Sequence, residues 1–286
     1  MAQPKRHVIA STDGVELAVH DHGGAGPTLV FCHATGLHGR VWDPVADALG
    51  GDVRRLAVDL RGHGGTHTPP DTSLEWSGMA RDLLAVVDAL ADGGPVLAVG
   101  HSMGGATIVL AELARPGTID AAWLFEPIIV PRSNSPFVGS GNPLAAAARR
   151  RREVFDNRDA AFERYGSRPP FVSCDPRSLR AYVDHGFVDQ ADGSVILACR
   201  GETEARVFEG SEAQVFERLG EVAAPLVVAS SGDGAPPALV APHVAGAVQR
   251  GRHEHFADLT HFGPLEAPER IAASIRAAVG LDTADE

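Results

Sequence analysis

Gly100-His101-Ser102-Met103-Gly104 is the stretch of this chain whose residue types and spacing could do covalent chemistry. It closes the apolar run Val96-Leu97-Ala98-Val99 and is followed at once by a helical stretch, Ala106 to Ala114, so it reads as strand, tight turn and helix. The glycines remove side chains where the strand and helix backbones nearly collide. Ser102 is then pushed into a strained turn with its hydroxyl exposed above the sheet. A serine hydroxyl is too weakly acidic to attack an acyl carbon unaided, so the chemistry needs a base. Thirteen histidines are available. His38, His63, His67 and His243 read as surface or loop residues. His253 and His255 alternate on one strand face, but no third ligand has convincing spacing, so no metal is expected. Glu126, directly after Trp123-Leu124-Phe125 and before Pro127, stands where burial is expected, and a buried charge requires a partner.

The elements that must position these groups follow a regular order. Val8 to Ala10 and Val15 to His20 flank the turn Thr12-Asp13-Gly14 as a hairpin. Thr28 to Cys32 is a short apolar strand followed by His33-Ala34-Thr35-Gly36. Trp42, Val45 and Leu49 recur at helical spacing, Arg54 to Val58 is the next strand, and Trp76 to Leu90 shows one apolar helical face. Ala121 to Phe125 is a sixth strand. From His33 onward strands alternate with helices without hairpin turns, which implies an α/β fold with a mostly parallel central sheet flanked by helices. Residues 127–222 break that alternation. Helices are expected over Asn142 to Phe155, Asp159 to Tyr165, Arg177 to Asp184 and Glu202 to Phe208, and Ala191-Asp192-Gly193 marks a small hairpin between Phe187 and Leu197. The basic run Arg149 to Arg152 reads as a solvated helix face. Seven of the eleven Phe and both Tyr fall here, which fits either a lid facing an apolar ligand or the insert's own small core. Pro225 to Ala229, a helix of Ala and Val, Arg252 to Phe256 and a final helix with Ile271, Ile275 and Ala278 inward restore the pattern. The expected division is a core of residues 1–126 and 223–286 with a mainly helical cap, 127–222, inserted after strand six.

At 286 residues with 44% hydrophobic and 22% charged residues, the chain has the balance of a globular protein with a substantial core. Its formal net charge of −12 argues against nucleic acid or an anionic membrane as partner. No apolar run reaches the length of a membrane span or a signal peptide, so a cytoplasmic location is expected. Cys32, Cys174 and Cys199 form no framework and are expected as reduced thiols.

Four motifs in order resemble the α/β-hydrolase family from about Val15 to Val279: His33-Ala34-Thr35-Gly36 after a strand, Asp59-Leu60-Arg61-Gly62-His63-Gly64, the segment around Ser102, and His261-Phe262-Gly263-Pro264-Leu265-Glu266. The resemblance implies that His261, in the loop before the last helix, is the base, and that backbone N–H groups of Thr35 and Met103 form the oxyanion hole. Ala34 departs from the commoner glycine at its position, which suggests a slightly different loop backbone. Family members mostly place the acid after the seventh strand, where Asp233 stands, and a minority after the sixth, where Glu126 stands. Glu126 is the preferred acid and Asp233 the alternative, because Ser231-Gly232-Asp233-Gly234 is also ordinary turn chemistry. A sixth-strand acid is similar to that of haloalkane dehalogenases and some lactonases, although serine at position 102 argues against the dehalogenase and epoxide hydrolase branches, which use aspartate there.

The resemblance therefore implies a serine hydrolase of small apolar carboxylic esters or lactones that works through an acyl-enzyme, with no cofactor. Perhydrolase or haloperoxidase-like chemistry and carbon–carbon bond hydrolysis share the same residues. A ligand-sensing protein with slow turnover is the alternative of another class.

Overall fold

The computed structural model describes residues 3–131, 142–212 and 214–282. The chain begins with strands β1 (Lys5–Ala10) and β2 (Glu16–Asp21), an antiparallel hairpin whose turn holds Asp13 and Gly14 at positive φ. Then come β3 (Thr28–Cys32), α1 (Asp43–Leu49), β4 (Arg54–Asp59), α2 (Trp76–Leu90), β5 (Val96–His101), α3 (Met103–Ala114) and β6 (Ala121–Phe125). The insert contributes α4 (Pro143–Ala148), β7 (Val154–Phe155), α5 (Arg158–Gly166), α6 (Pro176–His185), β8 (Phe187–Asp189), β9 (Val195–Leu197) and α7 (Gly201–Glu209). The chain then returns through β10 (Leu226–Ser231), α8 (Pro236–Ala247), β11 (Gly251–Phe256), α9 (Gly263–Glu266) and α10 (Pro268–Ala278).

Eight strands form one sheet in the order β1-β2-β4-β3-β5-β6-β10-β11, and every pair from β4 to β11 is parallel. β3, continuous and apolar in sequence, is buried on both faces. Val30 and Cys32 pack with Met79, Met103 and Val244 from α2, α3 and α8, while Leu29 and Phe31 pack with Trp42, Val45 and Ile271 on the side of α1 and α10. Chain order reverses at β3, whose neighbours are β4 and β5. The crevice beyond the carboxyl ends of β3 and β5 is therefore the topological switch point where α/β sheets bind ligands.

The insert differs from expectation in two places. The helix expected over Asn142 to Phe155 ends at Ala148, because Val154–Phe155 pairs with β9 in a separate three-stranded sheet, β7-β9-β8. The expected hairpin is present, with Phe187 opposite Leu197 and Gly193 at φ +87°. The basic run lies beyond the helix, with Arg149, Arg150 and Arg152 exposed as expected and Arg151 drawn inward. Arg149 spans Glu202 and Glu209 on α7, and Arg151 turns inward to Glu204 and to the hydroxyls of Tyr165 (3.0 Å) and Tyr182 (2.9 Å). Phe155, Tyr165, Phe171, Tyr182 and Phe187 pack on one another, mostly edge to face, with centroids 4.7–6.3 Å apart, so these rings fill the insert's own core.

Candidate active site

Ser102 sits between β5 and α3 at φ 56°, ψ −117°, a conformation that side chains rarely adopt. The neighbouring glycines explain why the turn can close. A Cβ on Gly100 would lie 2.6 Å from Gly105 Cα, one on Gly104 would clash with the carbonyl of Cys32, and one on Gly105 would lie 2.8 Å from Pro127. The Ser102 N–H donates to Phe125 O (2.9 Å) and its carbonyl accepts from Gly105 and Ala106, so the strained residue is fixed by its backbone. Its hydroxyl has no hydrogen-bond partner among the described residues.

The Met103 N–H opens α3, and neither it nor the Thr35 N–H has a partner among the described residues. Both lie at the β3–β5 crevice, where Cys32 pairs with Gly100. The Thr35 hydroxyl donates to Met103 Sδ (3.3 Å), joining the two peptides. Ala34 does not need the left-handed region, because the loop places positive φ one residue beyond Thr35, at Gly36 (76°).

Two histidines fasten this loop. Leu60 N–H donates to His33 Nε2 (3.0 Å) while His33 Nδ1–H donates to Ala34 O (2.8 Å). Gly36 N–H donates to His63 Nε2 (3.1 Å) while His63 Nδ1–H donates to Arg61 O (3.0 Å). Burial holds both rings neutral, with His33 pushed down to about 3. His63 is thus not a surface residue, and neither is His38, which is buried and donates to Tyr182 O (3.1 Å). A loop position carries no sequence signal of burial, so only the pairing partners expose these roles. His67 and His243 are exposed. His253 and His255 both meet the Ser230 hydroxyl (2.9 and 3.1 Å), and among the described residues no group of three suitable side chains could hold a metal.

Glu126 follows β6 at φ 45° and is completely buried. Its Oε1 accepts from Ser231 N–H (2.6 Å) and its Oε2 from His261 Nδ1 (2.5 Å), which leaves Nε2 as the unprotonated nitrogen of a neutral His261 ring. Asp233 takes a different place. Its Oδ2 accepts from the backbone N–H of His261 (2.9 Å), and its Oδ1 accepts from Ser231 Oγ and Ala235 N–H, both at 2.9 Å. Against the upward push of partial burial, these donors hold the Asp233 carboxyl below its ordinary value. The carbonyl of His261 accepts from His101 Nε2 (2.8 Å). No hydrogen bond joins Ser102 Oγ to His261, a pair that unliganded sites commonly hold apart until substrate binds.

The insert reaches both the base loop and the oxyanion loop. Phe171 packs on Phe262, beside His261, with centroids 5.1 Å apart, and Glu204 of α7 stands against Gly36 in the Thr35 loop. A separate cleft of about 570 Å³ between α1 and α6, lined by His22, Arg40, Asp43, Arg180 and His185, includes none of the residues above.

Residues 29–274 match the profile of the Alpha/beta hydrolase family. The chain belongs to that family. Among curated proteins it is similar to a lipase of Mycobacterium tuberculosis, 34% identical over 116 residues that cover 40% of this chain and 43% of the lipase. A 2-(acetamidomethylene)succinate hydrolase of Mesorhizobium japonicum is 24% identical over 72% of this chain and 70% of its own. Among solved structures, the peroxisomal alpha-beta-hydrolase Lpx1 of Saccharomyces cerevisiae superposes with a TM-score of 0.79 at 17% identity, covering 99% of this chain and 90% of that one. The esterase RhEst1 of Rhodococcus sp. ECU1013 gives 0.74 at 22%, covering 96% and 98%. At these identities the structural likeness speaks for the fold. No helix among the described residues is long and apolar enough to cross a membrane.

Proposed function

We propose that the protein is a serine hydrolase of carboxylic esters, with Ser102 as nucleophile, His261 as base and Glu126 as the orienting acid. The observation that carries this reading is the 2.5 Å bond from His261 Nδ1 to a carboxylate with no solvent exposure. That bond fixes the imidazole tautomer whose Nε2 can accept a proton, and the buried carboxylate stabilises the imidazolium when it does. Ser102 Oγ attacks the acyl carbon as its proton passes to His261 Nε2. The negative charge developing on the carbonyl oxygen is met by the Thr35 and Met103 N–H groups, which no acceptor among the described residues occupies. Collapse of the tetrahedral intermediate breaks the bond to the alkoxy oxygen, and His261 returns the proton to it as the alcohol leaves. Water, deprotonated by the same nitrogen, then attacks the acyl-enzyme and releases the acid with Ser102 restored. A lactone reacts by the same steps, its alcohol remaining tethered to the acid. Residues 127–222 act as the lid, since Phe171 and Glu204 bring the insert against both the base loop and the oxyanion loop.

Hydrolysis of p-nitrophenyl acetate or butyrate tests the reading. Turnover is expected in the wild-type protein and abolished by Ser102→Ala. Retention of wild-type turnover by that variant would overturn it.

A further inference from the structure

His101 is the buried polar side chain beside Ser102 for which acyl transfer has no use. It lies at the carboxyl end of β5, is 1% exposed, and its Nε2 is 2.8 Å from the backbone carbonyl of His261. A carbonyl can only accept, so Nε2 carries the ring's hydrogen. Nδ1 is buried with no partner among the described residues, which suits a neutral ring, because an N–H formed there would have no acceptor among them. The ring is held edge-on by Phe125 and Phe262 and lies 4.9 Å from the imidazole of His261.

The other side of the same residue is held as well, since His261 N–H donates to Asp233 Oδ2. Both backbone groups of His261 are therefore bonded to side chains from two different strand ends. The loop between β11 and α9 has no regular ladder of its own, so without such bonds its position would follow loop motion. His101 is covalently next to Ser102, so its bond refers the base's backbone to the very strand end that carries the nucleophile.

We propose that His101 is a positioning residue, which sets the distance between His261 and Ser102 by donating from Nε2 to the His261 carbonyl. This rests on the reading of Ser102 and His261 as nucleophile and base. Neutrality matters for the design. A lysine or arginine donor at the same place would put a cation about one ring's width from the imidazole and weaken it as a base, whereas burial and His261 itself push His101 well below the ordinary histidine range.

The test uses a fluorophosphonate probe on the full chain, which reads Ser102 reactivity without the natural ester. Labelling of the wild type but not of Ser102→Ala is expected; no labelling of the wild type would remove the nucleophile reading and this inference with it. Given labelling, His101→Phe keeps ring volume and loses the donor, and should lower the maximal labelling rate by about tenfold to a hundredfold with the probe's half-saturation unchanged. The thermal midpoint should stay within a few degrees of wild type. His101→Gln and His101→Asn form a polar pair that does not depend on the Phe variant folding. Gln places an N–H at the Nε2 position and should label within about fivefold of wild type, while Asn places it at the Nδ1 position and should be as slow as Phe. Wild-type rates for His101→Phe, or equal rates for Gln and Asn, would overturn the assignment and leave the nucleophile reading standing.

Discussion

Glu126 and Asp233 stand at neighbouring strand ends, and both reach His261, but they bind different atoms of it. Glu126 takes the imidazole and is completely buried; Asp233 takes the peptide N–H from an exposed turn. The chemical consequences should separate accordingly. Glu126→Gln keeps the shape but replaces the Oε2 carboxylate with an amide that cannot stabilise an imidazolium, and the rate of acyl transfer should fall by about 10³-fold or more. Asp233→Asn disturbs only the loop's anchorage and should cost about tenfold or less. Ester turnover of the two variants side by side checks the ranking, and a larger loss at Asp233 would reverse the assignment of the acid. Sequence spacing could not make this choice, because both positions end parallel strands on the same edge of one sheet. What separates them is the direction of a side chain in a turn: Ser231 Oγ and Ala235 N–H draw Asp233 Oδ1 back into its own loop. His63 and His38 escaped sequence reading for the same reason, since their burial follows from what packs over a loop and not from any periodicity within it.

At the scale of elements, the main sheet was legible, and so were helices α5, α6 and α7 and the hairpin of the insert; the stretch from Asn142 to Phe155 was not. Strands β3 to β6 announce themselves as apolar runs closed by turn residues, and Gly100 and Gly104 mark a crossing where backbones touch. The insert's helix α4 was overextended because alanine-rich and arginine-rich residues both favour helix locally, whereas tertiary partners decided the outcome. Arg149 is held by α7, and Arg151 joins α4 to α5, α6 and α7 through Tyr165, Tyr182 and Glu204. Glu204 is buried, so Arg151→Leu leaves a carboxylate without its counter-ion. That substitution should destabilise the fold by about 3 kcal/mol, and the double variant Arg151→Leu/Glu204→Leu should recover part of the loss. Urea unfolding of the three proteins measures both. If the single variant matched the wild type, Arg151 would not be the joint of the insert.

For the whole molecule, the same buried histidines that shape the Thr35 loop and the joint with the insert make stability depend on pH. Burial is the leading cause of the lowered value in each of His33, His38, His63 and His101; His33 is pushed to about 3 and His38 to about 4. His38 feels Asp59 and the Tyr182 carbonyl in the opposite sense and His20 and Arg40 in the same sense as burial, so its ring stays neutral between core and insert. Above the ordinary histidine value of about 6.5, both folded and unfolded chains are neutral at these positions and nothing changes. Below it the unfolded chain binds protons that the folded chain refuses, and stability falls as pH falls, down to the lowered folded values. The loss is about 2 kcal/mol by pH 5 for each of His33 and His38, on the order of 4 kcal/mol for the two, and His63 and His101 add to it in the same direction. That is a large part of the whole stability of an ordinary domain, about 5–15 kcal/mol. The thermal midpoint should therefore be flat from pH 8 to 7 and fall steeply between pH 6.5 and 5. His38→Gln, which keeps an N–H for Tyr182 O and cannot protonate, should lower by about one the number of protons taken up on unfolding in that window. Scanning calorimetry across pH checks both, and a midpoint at pH 5 equal to that at pH 7 would mean that these rings are solvated in the folded protein.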